Sequence, residues 1–290
     1  LFESVSGFTT TGITVLQGLD SMPKSILFWR SLMQWLGGLG ILTFFLLISS
    51  RFSGNFWQLF SAESHKVELS RPVPNIFKTI EILWLIYIIF TLMEIFILLF
   101  LKLSLYDAII HSFTTLSTGG FSSYDSSIAQ YSMSGHPLFR LIEYTIIFFM
   151  LLGGINFLIH YKVLTGDFNA PFKNTEFKYF IGIITGFTLL IILGKVIVES
   201  DIFFGFKQGN IEHIFRTTLF QVVSVLTTTG FGTQDIGSHF FPAIAKQLFL
   251  IMMLIGGCVG STSGGIKILR IVILNRLFKR EIKKIYYPEH

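Results

Sequence analysis

Charge is the scarcest property of this chain. Only 13% of its 290 residues are Asp, Glu, Lys or Arg, about half of the roughly 25% usual in soluble domains. That scarcity excludes a water-soluble enzyme of this size, which could not cover its surface with so few ionised groups. Cysteine is nearly missing: Cys258 stands alone, excluding an internal disulfide framework and a cysteine-rich zinc site. The seven histidines fall into no His-Glu-x-x-His pair or other ligand spacing. The combination of low hydrophobicity and dense charge that marks disordered chains is absent. What abounds is apolar: 51% hydrophobic residues, 33 phenylalanines, and a mean hydropathy of +0.66. The expected class is an all-α integral membrane protein. No charged leader and no initiator methionine precede the opening segment, so the chain reads as a piece of a longer open reading frame without a signal peptide.

A helix needs roughly 20 mainly apolar residues to cross the hydrocarbon core. Five segments reach that length: Ile26 to Ser49, Ile80 to Leu101, Leu138 to Tyr161, Phe180 to Val198, and Phe240 to Leu274. Between them lie three shorter apolar stretches ending in Thr, Ser and Gly: Leu1 to Gly12, Leu105 to Gly119, and Ile211 to Gly230. Each is too short to cross and too apolar for an ordinary loop, which predicts re-entrant half-helices.

The formal net charge is +5 and the pI about 9.2, but position rather than sum decides what the charge does. Arg51, Lys66, Arg71 and Lys78, then Lys162, Lys173 and Lys178, then Lys267, Arg270, Arg276, Lys279, Arg280, Lys283 and Lys284 account for 14 of the 22 basic residues. The opposite connectors hold Lys24, Lys102, Lys195 and Lys207. By the positive-inside rule the first group faces the cytoplasm and the half-helices lie on the outer side. The basic tail is then a topology signal, not a nucleic-acid arm.

The half-helices are copies of one unit. Their ends read Thr9-Thr10-Thr11-Gly12, Ser117-Thr118-Gly119-Gly120 and Thr227-Thr228-Thr229-Gly230. Aligning Gly12, Gly119 and Gly230 gives periods of 107 and 111 residues, far above those of solenoids. Asp20, Asp125 and Asp235 follow in the next loops, and Arg30, Arg140 and Lys246 stand near the start of each following span. A dehydrated cation needs a ring of oxygens, which backbone carbonyls supply. The expected cation-binding strands are Thr10, Thr11 and Gly12; Ser117, Thr118 and Gly119; and Thr228, Thr229 and Gly230. Glycine permits the twist that turns carbonyls inward, the half-helix dipoles end negative at the axis, and Asp20, Asp125 and Asp235 would concentrate cations at an outer mouth. The bland alternative for each Thr-Thr-Gly is a helix C-cap with a left-handed glycine; threefold recurrence favours the pore.

The last span is interrupted at residues 256–265, where five glycines crowd with Ser and Thr, so the helix is expected to break there. Two readings stand: a kink packed on neighbouring helices, or a flexible barrier built from Gly256, Gly257, Gly260, Ser261, Thr262, Gly264 and Gly265, with Lys267 and Arg270 just inside. A phosphate loop fails for want of Gly-Lys-Ser/Thr, and a serine-hydrolase elbow fails because Thr262 is the central residue. Cys258 reads as a small buried apolar residue.

At these residues the sequence resembles the TrkH/KtrB superfamily of potassium uptake proteins, the TrkH branch most closely. The resemblance rests on Thr9 to Gly12, Ser117 to Phe121 and Thr227 to Phe231, and above all on Gly256-Gly257-Cys258-Val259-Gly260-Ser261-Thr262-Ser263-Gly264-Gly265-Ile266-Lys267. Leu83 to Tyr87 and Leu36 to Gly40 add to it. It implies tandem membrane–pore-helix–membrane repeats, four around one potassium-channel-like pore, with K⁺ as the transported ion and no cofactor in the chain. It also implies a glycine-rich gate, a homodimer in a prokaryotic inner membrane, a cytosolic nucleotide-binding regulatory subunit and no enzymatic activity. Against that pattern the chain opens inside the first pore helix and stops after the third repeat, so alone it is not expected to conduct, and Ser263 replaces a glycine usual in the gate. The implied organisation is residues 1–50 as first repeat, 51–79 as cytoplasmic connector, 80–161 as second repeat, 162–178 as connector, 179–275 as third repeat and 276–290 as basic tail.

The remaining polar residues are few. Glu81 is expected to reach water near the boundary, while Glu94 and Glu143 are expected to pair with Arg140 or Lys102. His111 and His213 should pack or cap. The rivals are a sodium-conducting or ion-coupled relative, and, from another class, an intramembrane hydrolase using Ser261 or Cys258, for which no base appears in a known motif.

Overall fold

The computed structural model describes residues 1–51, 76–198 and 208–286. Lys66, Arg71, Lys207, most of the expected 51–79 connector and the end of the tail lie outside the described residues. Every regular element described is helical, in the order α1 (Phe2–Phe8), α2 (Lys24–Arg51), α3 (Ile76–Phe100), α4 (Leu105–Leu116), α5 (Ala129–Met133), α6 (Phe139–Gly154), α7 (Phe157–Leu164), α8 (Ala170–Lys173), α9 (Thr175–Val198), α10 (Gln208–Leu226), α11 (Ala243–Met252) and α12 (Ile268–Tyr286).

Helix α3, apolar over 24 residues, and α9, over 23, are each long enough to cross a bilayer. Their outer faces carry Phe96 and Phe100, and Leu189, Leu190, Leu193 and Ile197, all exposed. So much exposed apolar surface along whole helices suits lipid, which places the chain in a membrane. The inner faces pack on α4, α6 and α10, where Leu98, Ile142, Ile146, Ile184, Phe220 and Leu226 form one large core. A second core gathers Leu39, Tyr87, Phe149 and Phe157.

The third expected span is not one helix. It divides into α6 and α7, bent by 102°. Ile155 is extended at the break, and the Asn156 side chain caps the new helix by accepting the Leu158 N–H at 2.8 Å. The apolar run through Leu138 to Tyr161 hides this, because the break depends on a glycine pair and one cap rather than on polarity. The last span divides as its glycines require, α11 ending at Met252 and α12 starting at Ile268.

Glycine pairs set the helix spacing. A Cβ at Gly37 would fall 2.0 Å from the Phe8 carbonyl oxygen, and one at Gly38 would fall 2.8 Å from the Ser117 side chain. In the next unit Gly153 faces the Leu116 carbonyl and Gly154 faces Thr227. Each pair thus seats the end of its own half-helix with the first residue and the start of the next unit's strand with the second. Helix-helix contact through small residues is how backbones approach closely in membranes.

Candidate functional site

Helices α1, α4 and α10, of 7, 12 and 19 residues, end alike. The N–H groups of Thr10, Thr118 and Thr228 bond to carbonyls three residues back, and the next two N–H groups converge on one oxygen, that of Ser6, Thr114 or Ser224. Five non-glycine residues among those described have positive φ, and three of them are Thr10 (54°), Thr118 (52°) and Thr228 (56°). A β-branched residue in this region is strained by about 1–3 kcal/mol, and such strain gathers at functional sites. Two residues on, Gly12, Gly120 and Gly230 have φ of 76°, 75° and 85°. The left-handed C-cap is therefore present, but threonine supplies it; the glycine is a second, separate reversal.

This geometry corrects the repeat register. Gly120, not Gly119, matches Gly12 and Gly230, so the units lie 108 and 110 residues apart. The equivalent triplet is Thr118, Gly119 and Gly120, while Ser117 corresponds to Thr9 and Thr227 at the end of the helix. Two adjacent glycines leave composition unable to choose between them; only the sign of φ does.

The strands abut in order. A Cβ on Gly12 would lie 2.1 Å from the Gly119 carbonyl oxygen, and one on Gly120 would lie 1.9 Å from that of Thr229. Both glycines are therefore required by contact as well as by φ. The first strand is braced by Glu3, which accepts from Val15 N–H and Thr14 Oγ1, each at 2.7 Å, and from Arg30 Nε at 2.9 Å. Burial raises the Glu3 pKa, but these bonds and the Arg30 charge outweigh it and hold the carboxyl below its usual range. The Arg30 guanidinium also lies 4.0 Å from the centroid of the Phe121 ring, linking the first two units.

The glycine-rich loop closes under strands 2 and 3. Its base is a parallel bridge between Ile255 and Ile266, and Gly256 packs where a Cβ would meet the Gly264 oxygen at 1.8 Å. Cys258 N–H and Thr262 N–H donate to the Gly154 and Gly153 carbonyls at 2.9 and 3.2 Å. Thr262 Oγ1 shares its proton between Leu116 O at 2.9 Å and Gly153 O at 3.1 Å, and accepts from Thr118 Oγ1 at 3.4 Å. Gly264 N–H donates to Thr228 Oγ1 at 2.7 Å. Gly260 packs against Asn156, Ser261 donates to the Cys258 carbonyl at 2.6 Å, and Lys267 Nζ donates to the Ser263 carbonyl next to Gly264 and Gly265. Ser263, the departure from glycine, uses its hydroxyl to accept Gly257 N–H at 3.0 Å. Sequence reasoning missed Glu176, a buried acid at the start of α9 that accepts Val259 N–H at 2.7 Å.

Asp20, Asp125 and Asp235 are all exposed. Asp125 accepts the N–H groups of Gly18 and Leu19 at 2.9 and 3.2 Å, joining the second unit's loop to the first. Asp235 accepts Gly237 N–H at 2.8 Å within its own turn. Two of the three carboxylates thus also serve backbone turns.

The family model described as TrkH, a cation transport protein, matches residues 1–289. The chain belongs to that family. It is 37% identical over 289 residues to the Trk system potassium uptake protein TrkH of Escherichia coli K12, covering 99% of this chain and 57% of that protein. It is 35% identical to an uncharacterized cation transporter of Methanocaldococcus jannaschii, covering all of this chain and 54% of the relative. The crystal structure of the potassium transporter TrkH from Vibrio parahaemolyticus superposes with a TM-score of 0.81 at 32% identity, over 100% of this chain and 56% of that one. The chain therefore spans little more than half the length of these relatives, and the named ones are transport proteins.

Within this TrkH-family chain the buried acids are not paired as expected. Glu143 meets Arg216 of α10 rather than Arg140, with Oε2 2.9 Å from Nε and both side chains buried. The N–H is not aimed along that line, so charge rather than a hydrogen bond holds the pair. Arg140 instead lies 3.7 Å from Glu212, an exposed guanidinium against a half-buried carboxylate. Glu94, fully buried on α3, has the Thr115 side chain of α4 as its polar neighbour and no cation paired with it among the described residues; Lys102 sits beyond the end of its helix. Removing one member of a buried pair costs about 3–5 kcal/mol because the other charge is stranded. Arg216→Met is expected to lower the thermal midpoint of the detergent-solubilised protein markedly, and adding Glu143→Leu should recover part of the loss, because Arg216 also holds Glu212 at 3.2 Å. Equal midpoints for Arg216→Met and wild type would show that the pair contributes nothing.

His111 is buried and capped by the Asp107 carbonyl at 2.9 Å and Ser122 Oγ at 3.1 Å. Asp107 also accepts from Tyr124 at 3.1 Å, and burial followed by that neighbouring charge pushes the Tyr124 phenol up to about 12. These groups rigidify the loop after strand 2.

Proposed function

We propose that this chain forms the greater part of a potassium uptake pore in a prokaryotic inner membrane, with the Thr/Gly strands as its filter. The observation carrying the reading is the threefold left-handed threonine, followed two residues later by a left-handed glycine packed on the next strand. Carbonyls on a backbone whose φ changes sign do not alternate as in an extended strand, and a ring of such oxygens can replace the water of a dehydrated K⁺. Thr10, Thr11 and Gly12, Thr118, Gly119 and Gly120, and Thr228, Thr229 and Gly230 line this path, Ser117 ending the helix that leads into strand 2. Irregular backbone at this depth is tolerated where it faces a wet cavity.

The glycine-rich loop is the barrier below, pinned by Thr262, Glu176 and Lys267. The outer aspartates raise cation concentration at the mouth. The ion is the cargo, and the chain needs no cofactor. A homodimer and a cytosolic nucleotide-binding regulator on the basic inner face, beside anionic lipid, complete the assembly. The Ser261 hydroxyl is bonded to Cys258 O, with Ser263 Oγ at 2.7 Å, which gives a hydrolase reading no support.

The test is growth of a potassium-uptake-deficient bacterium carrying the native gene on limiting potassium, together with Rb⁺ uptake in the same cells. Rescue is expected, with Rb⁺ entry inhibited by K⁺ and much less by equimolar Na⁺. Inhibition by Na⁺ as strong as by K⁺ would replace the potassium filter with a sodium-conducting relative. No uptake from protein shown to be in the membrane would overturn the pore itself.

A further inference from the structure

Strands 1 and 3 are each tied twice within their own unit. Ser6 and Ser224 donate to the carbonyls of Ile13 and Phe231 at 2.5 and 2.7 Å. The hydroxyls of Thr9 and Thr11, and of Thr227 and Thr229, lie 2.8 Å apart. Strand 2 has neither tie. Thr114, at the place of Ser6 and Ser224, donates back to Ile110 O at 3.0 Å, and Gly119 stands where the others have threonine.

The missing ties are replaced from another unit. Gln34 of α2 is fully buried, its Nε2 donating to Gly119 O at 2.7 Å and its Oε1 accepting Phe121 N–H at 3.1 Å. Only this orientation of the amide satisfies both partners. The side chain thereby brackets Gly120 from both sides. A Cβ at position 119 would lie 2.4 Å from Gln34 Cδ, so a threonine there and the glutamine cannot coexist as placed. Counting from the glycine pairs Gly37–Gly38, Gly153–Gly154 and Gly256–Gly257, the residues matching Gln34 are Met150 and Met253. Gly119 and Gln34, each a departure from the chain's own repeat, are the two halves of one contact.

We propose that Gln34 is the positioning residue that sets potassium selectivity at the second strand, and that Gly119 is glycine in order to admit it. This rests on the potassium-filter reading. The Gly119 oxygen held by Gln34 is the atom against which Gly12 packs, so the amide fixes the seam between strands 1 and 2. Selectivity depends on the number and placement of oxygens around the ion. A seam free to relax lets oxygens close on the smaller Na⁺.

The experiment measures Rb⁺ uptake and its inhibition by Na⁺, per unit of assembled protein, for the native gene and three variants. Gln34→Met introduces the residue of the other repeats, Gly119→Thr does the same on the strand, and the third carries both. Loss of one buried hydrogen-bonded clamp is expected to reduce the K⁺-over-Na⁺ preference of Gln34→Met about threefold to tenfold. Gly119→Thr should lower assembly and uptake together, and adding Gln34→Met should restore them, a non-additive pair. Unchanged preference in an assembled Gln34→Met overturns the proposal. Should Gln34→Met not assemble, rescue of Gly119→Thr by the second change decides, and no rescue overturns it. A native protein without K⁺ preference would instead fail the potassium reading, before any variant is compared.

Discussion

Gly120→Ala is expected to abolish Rb⁺ uptake while Gly135→Ala leaves it within about twofold of the native level, although both glycines have nearly the same backbone conformation. Their φ values are 75° and 70°, so an added Cβ carries the same left-handed penalty at each, about 1–2 kcal/mol. What differs is the space. At Gly135 no atom lies within 4 Å of the added carbon, whereas at Gly120 the Thr229 oxygen would be 1.9 Å away. That overlap is with backbone, and no rotamer relieves it, so the second and third strands must part. The comparison removes φ strain from the result and leaves the strand contact. Uptake per assembled protein is the readout. Substantial uptake by an assembled Gly120→Ala would show that the strands need not touch to conduct, and the filter assignment would fall with it.

How much of this could be read from the sequence depends on whether local signals or contacts decided the matter. The helix ends at Thr9, Ser117 and Thr227 were legible because an apolar run ending in Thr and Gly has few alternatives, although α10, at 19 residues, is longer than its motif suggested. The break in the last span was legible because five glycines within residues 256–265 cannot propagate a helix. The register of the second strand was not, since Gly119 and Gly120 are chemically identical and only one has positive φ. The bend between α6 and α7 was hidden inside a continuous apolar run, and its cause is a cap on Asn156. Glu143 was matched with an arginine near it in sequence, but its partner Arg216 comes from a helix 73 residues away. Asp125 was assigned to the mouth alone because nothing local reveals that its oxygens reach Gly18 and Leu19. Pairings across units are the information that a single chain, read locally, does not display.

Thr262→Val is expected to raise transport rather than lower it. Threonine and valine are both β-branched and differ by a hydroxyl against a methyl, so the substitution deletes the hydroxyl with little change in side-chain shape. That hydroxyl docks the glycine-rich loop: its one proton is shared between the carbonyls of Leu116 and Gly153, and it accepts from Thr118. Valine leaves the buried Leu116 carbonyl short of a donor, which costs the docked loop about 1–3 kcal/mol, while Gly153 O keeps the backbone N–H of residue 262. If the loop undocks to open, the open state gives the Leu116 carbonyl access to water, and the open-to-closed ratio rises about fivefold to a hundredfold. Thr262→Ser retains the hydroxyl and should stay near the native rate. Rb⁺ uptake at matched membrane levels distinguishes the two, and because a leaking pore passes ions without its regulator, Thr262→Val should also be the less sensitive to deletion of any regulatory subunit. Uptake falling in Thr262→Val while assembly is intact would mean that the docked loop supports strands 2 and 3 in their conducting geometry. The loop would then be part of the filter's scaffold, and the barrier would have to be sought elsewhere in the chain.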